Sequence, residues 1–285
     1  MFSFFRLLRY RFFLFAGILP FFLGASMSFS AHKTFNFYYF AVAFIGIALS
    51  LVGVETFNEY FDARLGSDRV FLEDKENIPD YIFYLGCLAF ILAGIIAGYL
   101  SLKIGLSIAV FAILGFIAAC FYVGPPLRLA YRGFGEFAIF FAYGPLMVLG
   151  SYYVQAQRIG LGPFLVSLIF GFLILALALV NEIPDYYQDG LVGKKNLVVR
   201  LGKQRAIILY QAVIFLSFLM LAIAFALKLI PIFSILVFLI FPFAVYTALK
   251  ARKTYDKATQ FIPTIRNTLI IYLFVSFTLI AGYLI

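Results

Sequence analysis

Asn58-Glu-Tyr-Phe-Asp62 closes a long apolar run, and Asn181-Glu-Ile-Pro-Asp185 closes another, 123 residues further on. Both are the tetrad Asn-Glu-x-x-Asp, and each is followed by one more aspartate, Asp68 and Asp189 respectively. Residues four apart share a helix face, so Asn58 projects with Asp62 and Asn181 with Asp185. Short oxygen-bearing side chains gathered at two membrane-helix ends suit a hard cation with something anionic bound to it.

The chain around these motifs is lipid-like. Apolar residues make up 65% of it and charged residues 12%, against about 45–50% and about 25% in a soluble domain. Tryptophan is absent, so 19 Tyr and 38 Phe must supply the aromatic belt at the membrane surface. Nine spans of bilayer-crossing length are expected near 10–29, 37–62, 81–101, 104–123, 135–154, 162–184, 204–227, 230–250 and 262–285. The first reads as a true span and not a cleavable leader, because more apolar sequence follows it. Tight hairpins are expected at Ser101–Lys103 and Lys228–Pro231, and the longer connections 63–80, 124–134, 185–203 and 251–261 fall on one side. Cys87 and Cys120 both lie inside apolar runs and read as inert buried thiols in preference to a disulfide or metal pair.

Charge orients the bundle. With the N-terminus in the cytoplasm, 18 of the 22 Lys and Arg residues fall on the cytoplasmic side and only Lys33, Lys103, Arg158 and Lys228 on the other. The positive-inside rule then places the N-terminus in the cytoplasm, the C-terminus outside and the chemistry on the cytoplasmic face of the cell membrane. The net charge of +9 thus reflects topology and attraction to anionic lipid or a diphosphate, and is no nucleic-acid signature. The reading is an all-α membrane protein, one domain over 1–285, with nine transmembrane helices around a central cavity. The matched motifs suggest two four-helix halves, about 10–123 and 135–250, plus a ninth helix.

Asp62, Asp68, Asp185 and Asp189 are candidate metal ligands, with Asn58 and Asn181 as neutral ones. Mg²⁺ prefers a few carboxylates completed by substrate phosphate oxygens, and two such ions are expected here. Arg64, Arg69, Lys194 and Lys195 stand close enough in sequence to clamp a diphosphate. Arg128, in the middle loop, and Arg11, at the start of the first span, are further candidates for that role; a topogenic duty explains Arg128 equally simply, and headgroup anchoring explains Arg11 more simply. Solvated loop charges with helix caps would account for one such cluster. They account poorly for two in matched places.

These residues resemble the UbiA superfamily of intramembrane prenyltransferases. Asn58 to Asp68 resembles that family's first Asp-rich motif, with Glu59 where Asp is common. Asn181 to Asp189, followed by Gly193-Lys-Lys-Asn-Leu-Val-Val-Arg200-Leu-Gly202, resembles the second. Tyr122-Val-Gly-Pro-Pro126-Leu-Arg128, Tyr131-Arg132-Gly133-Phe-Gly135-Glu136 and Gly144 to Tyr153 are similar to the branch that prenylates 1,4-dihydroxy-2-naphthoate on the way to menaquinone.

The resemblance implies nine helices, Mg²⁺, a polyprenyl diphosphate donor and a small aromatic acceptor, with no nucleic acid and no obligate protein partner. It implies catalysis by Asp62, Asp68, Asp185 and Asp189. Loss of diphosphate would leave an allylic cation, which the faces of Tyr122 and Tyr131 are placed to stabilise. Other acceptors, 4-hydroxybenzoate or geranylgeranylglyceryl phosphate, stay open, since the Asp motifs do not select between them. A secondary transporter would place its acids at mid-membrane, whereas these cluster at one face. A non-catalytic isoprenoid-lipid binder is the other rival.

Overall fold

The computed structural model describes residues 2–65 and 78–285, with side chains from Gly17 onward. Among these residues every regular element is helical. In chain order they are α1 (Phe2–His32), α2 (Phe37–Leu65), α3 (Tyr81–Ile104), α4 (Ser107–Val123), α5 (Gly135–Phe141), α6 (Met147–Ala156), α7 (Leu161–Leu191), α8 (Leu197–Leu201), α9 (Lys203–Ala226), α10 (Phe241–Thr254) and α11 (Ala258–Leu284). Seven of the described helices are long and apolar enough to cross a bilayer, taking Gly135–Ala156 and Ile232–Thr254 each as continuous; Ser107–Val123 is a shorter apolar helix.

α7 is the axis of the bundle. Leu173, Ala176, Leu177, Leu179, Val180 and Ile183 are fully buried, so it is apolar on all sides because all sides meet protein. It packs on α9, α11 and the α5–α6 rod, and α1 packs on α6 and α11. Small residues permit these approaches: a Cβ on Gly24 would stand 2.2 Å from the Val148 carbonyl oxygen, and one on Gly144 would stand 2.8 Å from the Gly171 Cα. Close backbone approach of this kind is how membrane helices gain packing energy without a hydrophobic drive.

Three expected elements differ in detail. The 135–154 span is broken by a π-helical stretch, Ala142–Leu146, around Pro145, whose ring cannot continue the regular hydrogen-bond ladder. The 230–250 span begins as a 3₁₀ stretch, Ile232–Ile240, before α10. The first hairpin turns later than Lys103, at Gly105, whose φ of 149° suits glycine.

α2 and α3 pack together with α4 as the other side of the molecule. Only 17% of the apolar window of α2 is buried, against 72% for α7. A cavity of about 850 Å³ is walled by α2, α3, α4 and the α5–α6 rod, with Phe21 from α1. No residue of α7 to α11 lines it, so it lies to one side of α7.

Candidate functional site

The two motifs meet through residues that neither contains. α2 carries Asp62 one turn beyond Asn58, and the Tyr131 hydroxyl, in the loop between α4 and α5, donates to Asp62 Oδ1 at 2.8 Å. The same loop holds the segment after the second motif, since the Lys195 N–H donates to the Tyr131 carbonyl at 3.2 Å. Lys194 Nζ then lies 5.7 Å from the Tyr131 ring centre and 3.8 Å from Asp189 Oδ1. Asp62, Tyr131, Lys194 and Asp189 form one connected polar chain.

Asp189 is buried and held from behind. Asn196 Nδ2 donates to its Oδ2 at 2.7 Å, while Asn196 Oδ1 accepts from the Val199 N–H at 2.8 Å and so caps α8. The Lys194 N–H donates to the Asp189 carbonyl at 2.9 Å, folding the turn back on itself. Burial alone would lower the Lys194 ammonium pKa, but Asp62, Asp189 and Glu182 together outweigh it and hold that pKa raised.

Glu136, at the start of α5 and buried, accepts from the Leu197 N–H through Oε1 at 2.6 Å, and its carboxyl lies against that of Glu182. One oxygen of each glutamate is buried without a hydrogen-bond partner. Gly133 has φ of 75°, and a Cβ there would meet the Arg200 side chain at 2.6 Å. Arg200 Nε donates to the Lys195 carbonyl at 2.9 Å. The middle loop and the loop after the second motif are therefore fastened at Tyr131, Gly133 and Glu136 in turn.

Other expected residues are placed differently. Arg64 turns from Asp62 to Asp80, lying 4.3 Å over the Tyr60 ring, and Tyr60 Oη donates to Asp80 at 3.2 Å. Asn181 Nδ2 donates to the Leu177 carbonyl of its own helix at 2.8 Å. Arg128 is half-buried with left-handed backbone, and Lys195 is exposed. Asp185 is half-buried on the turn of α7 before Asp189. Asp68 and Arg69 lie outside the described residues, as does the Arg11 side chain. Cys87 and Cys120 are free thiols beside the cavity.

No three His, Cys, Asp or Glu side chains among the described residues stand together as a preformed metal cage. The donor set still suits a hard cation completed from outside: carboxylates on two helices, and Asn58 Oδ1, buried with no hydrogen-bond partner. Asn58 and Tyr122 line the cavity at this end, and Phe57, Phe90, Phe116 and Tyr143 line it further in. The carboxylates stand just beyond its mouth.

Sequence reasoning missed Asn196, Glu136 as a bridge to α8, and Asp80. Only Asn196 carried a local signal, a capping residue directly before the apolar Leu197-Val-Val.

Fold and site together define a polytopic helical membrane protein with a charged end over an apolar cavity. The chain belongs to the UbiA prenyltransferase family, whose model it matches over residues 18–281. It is similar to the 1,4-dihydroxy-2-naphthoate octaprenyltransferase of Mycobacterium tuberculosis, 33% identical over 123 residues, which are 43% of this chain and 41% of that protein. It is also similar to the enzyme of that name from Bacillus subtilis, 26% identical over 166 residues, 54% of this chain and 52% of the other. These alignments span about half or less of the relatives' length. A UbiA homolog from Archaeoglobus fulgidus, solved bound to DMAPP and Mg²⁺, shares the fold with a TM-score of 0.61 and 14% identity, over 93% of this chain and 96% of that one. Seven membrane-length apolar helices and this family make the protein integral to a membrane.

Proposed function

We propose that this protein is a Mg²⁺-dependent prenyltransferase that moves a polyprenyl group from its diphosphate to 1,4-dihydroxy-2-naphthoate, in the branch that leads to menaquinone. The observation that carries the reading is the polar chain from Asp62 through Tyr131 and Lys194 to Asp189 at the mouth of an apolar cavity. That cavity suits a hydrocarbon tail, and the polar end suits a diphosphate. The naphthoate enzymes of the two bacteria support the acceptor, and the ligands of the archaeal homolog support donor and cation.

In this reading the domain is single, has nine spans in two four-helix halves plus one helix, and keeps its N-terminus and its site on the cytoplasmic face. Asp62, Asp185 and Asp189, with the carbonyl oxygens of Asn58 and Asn181, hold two Mg²⁺ ions. When bound, these supply positive charge against the diphosphate. Lys194 donates to non-bridging oxygens of the same group, with Lys195 and Arg128 nearer its solvent side. Tyr131 keeps Asp62 oriented while the leaving group departs. Tyr122 offers its ring to the allylic cation. The apolar cavity wall keeps water from that cation until the acceptor carbon attacks and loses its carboxylate as carbon dioxide.

The test is direct. Purified protein is given radiolabelled geranylgeranyl diphosphate and Mg²⁺ with 1,4-dihydroxy-2-naphthoate, 4-hydroxybenzoate or geranylgeranylglyceryl phosphate. A prenylated naphthol with release of carbon dioxide, abolished by chelator, is the expected result. Product from another acceptor alone would overturn the naphthoate reading and keep the transferase. Diphosphate binding with no product from any acceptor would point to a lipid binder.

A further inference from the structure

Three glycines inside α3 and α4 have no packing reason to be glycine. A Cβ built on Gly94, Gly98 or Gly115 meets nothing within 4 Å. All three have ordinary helical backbone, since the positive-φ glycines are Gly105, Gly133, Gly193 and Gly202. Glycine in a helix interior is less favourable than alanine. Gly94 and Gly98 also have the four-residue spacing by which membrane helices pack closely, yet no neighbouring helix comes near either. The glycines that do pack behave otherwise: Gly53 and Gly86, on facing helices, would strike Phe90 and Phe57 at 2.9 Å and 2.6 Å.

Gly94, Gly98 and Gly115 share one property, in that all line the 850 Å³ cavity. The cavity extends along α3 and α4. Its mouth is at Asn58, Cys87 and Tyr122, and its far end at Leu100, Ile108 and Val154. Asn58 Oδ1, buried and unpartnered, marks the mouth as the end where a polar group is awaited. Depth follows from helix rise. Gly94 is seven residues past Cys87 and Gly115 seven before Tyr122, so each is about 10 Å in. Gly98, eleven past Cys87, is about 16 Å in, and Leu100 about 20 Å. With carbon–carbon bonds of about 1.5 Å, a five-carbon prenyl unit advances about 5 Å when extended.

We propose that Gly94, Gly98 and Gly115 set which prenyl tails this protein accepts, by keeping the cavity open for the third and fourth prenyl units. The proposal rests on the prenyl diphosphate reading above and adds its chain-length determinant. Gly94 and Gly115, about 10 Å in, stand where the third unit begins, and Gly98, about 16 Å in, stands beside the fourth. A branched side chain at either depth fills the lane without touching the polar end. Tails that stop short of it are unaffected.

The experiment measures binding of radiolabelled geranyl, farnesyl and geranylgeranyl diphosphate with Mg²⁺, so no acceptor is needed. Gly94→Leu and Gly115→Leu are expected to keep geranyl affinity and lose at least tenfold in farnesyl and geranylgeranyl affinity. Gly98→Leu is expected to lose affinity for geranylgeranyl diphosphate alone. Unchanged affinity ratios in all three variants would overturn the proposal. Wild-type protein that binds none of the three would overturn both it and the donor reading; binding without turnover would leave it standing and remove the catalytic reading. The alanine variants guard against a folding artefact. Gly94→Ala, Gly98→Ala and Gly115→Ala are expected to fold, with Tm at or above that of the parent. A lowered Tm, or a change in oligomeric state, would show that the glycines serve helix packing and overturn the proposal.

Discussion

Tyr131 and Asp62, 69 residues apart in sequence, meet in a hydrogen bond of 2.8 Å from the phenolic hydroxyl to the carboxylate. This contact joins the first motif to the middle loop, and the Tyr131 carbonyl in turn accepts the N–H of Lys195 beside the second. One residue therefore fixes the relative position of two carboxylate groups that sequence places far apart.

Removing the hydroxyl should loosen that link and little else. Tyr131→Phe is expected to lower kcat/KM about 10- to 100-fold, the worth of a hydrogen bond to a charged group, about 1.5–3 kcal/mol. Asp62→Ala and Asp185→Ala should each abolish cation-dependent turnover. Lys228→Ala, far from this end, should not alter it. Full activity in either aspartate variant would remove the proposed metal ligands.

Lys194 gives a pH prediction with a defined sign. Its ammonium pKa is held above the ordinary value by Asp62, Asp189 and Glu182, against burial. A lysine raised in the fold stabilises it fully below the unfolded value and loses that contribution only as pH rises through the folded one. The unfolded value is about 10.4, so the contribution should be constant from about pH 6 to 9. Melting the parent and Lys194→Met side by side should give a Tm difference that does not change over this range. A difference that shrinks between neutral and alkaline pH would contradict the ion-pairing assigned to Lys194.

Glu136 should matter through the loop it holds. Glu136→Ala leaves the half-buried Leu197 N–H without its acceptor, a loss of about 1 kcal/mol. Hydrogen exchange at Leu197 should quicken, and affinity for the diphosphate should fall as Lys194 is released. Glu136→Gln keeps an acceptor oxygen and should lie between. Equal exchange rates in the parent and the alanine variant would show that α8 is held by other means.

Gly24→Ala tests the close approach of α1 and α6. Its Cβ would stand 2.2 Å from the Val148 carbonyl oxygen and 2.9 Å from Ser151 Cβ. Backbone must move to admit it, at about 1–3 kcal/mol. A lower Tm and lower yield are expected, with donor selectivity unchanged, since Gly24 does not line the cavity. A Tm equal to the parent's would mean the two helices separate without loss.

Much of the architecture was legible in the chain because a bilayer leaves little choice. Every backbone polar group must be satisfied inside its own helix, so apolar runs of sufficient length read directly as helices. The paired tetrads likewise showed which end carries the polar chemistry. Less legible was how each charged residue would be used. Arg64, adjacent to Asp62 by turn, pairs instead with Asp80, which folds back from the start of α3. Asn181 spends its amide on Leu177. Such choices depend on which partner lies nearer after folding, and spacing alone does not state that.

The sequence by itself determined an all-helical membrane chain, its motif-bearing end and the family resemblance, because hydropathy, helix period and motif spacing are local quantities. Only the tertiary structure decided that Tyr131, Lys194 and Glu136 join the two motifs, that the cavity lies against α2, α3 and α4, and that Gly94, Gly98 and Gly115 face open space. Those facts concern distances between helices, which follow from how small residues let backbones approach and where large ones hold them apart.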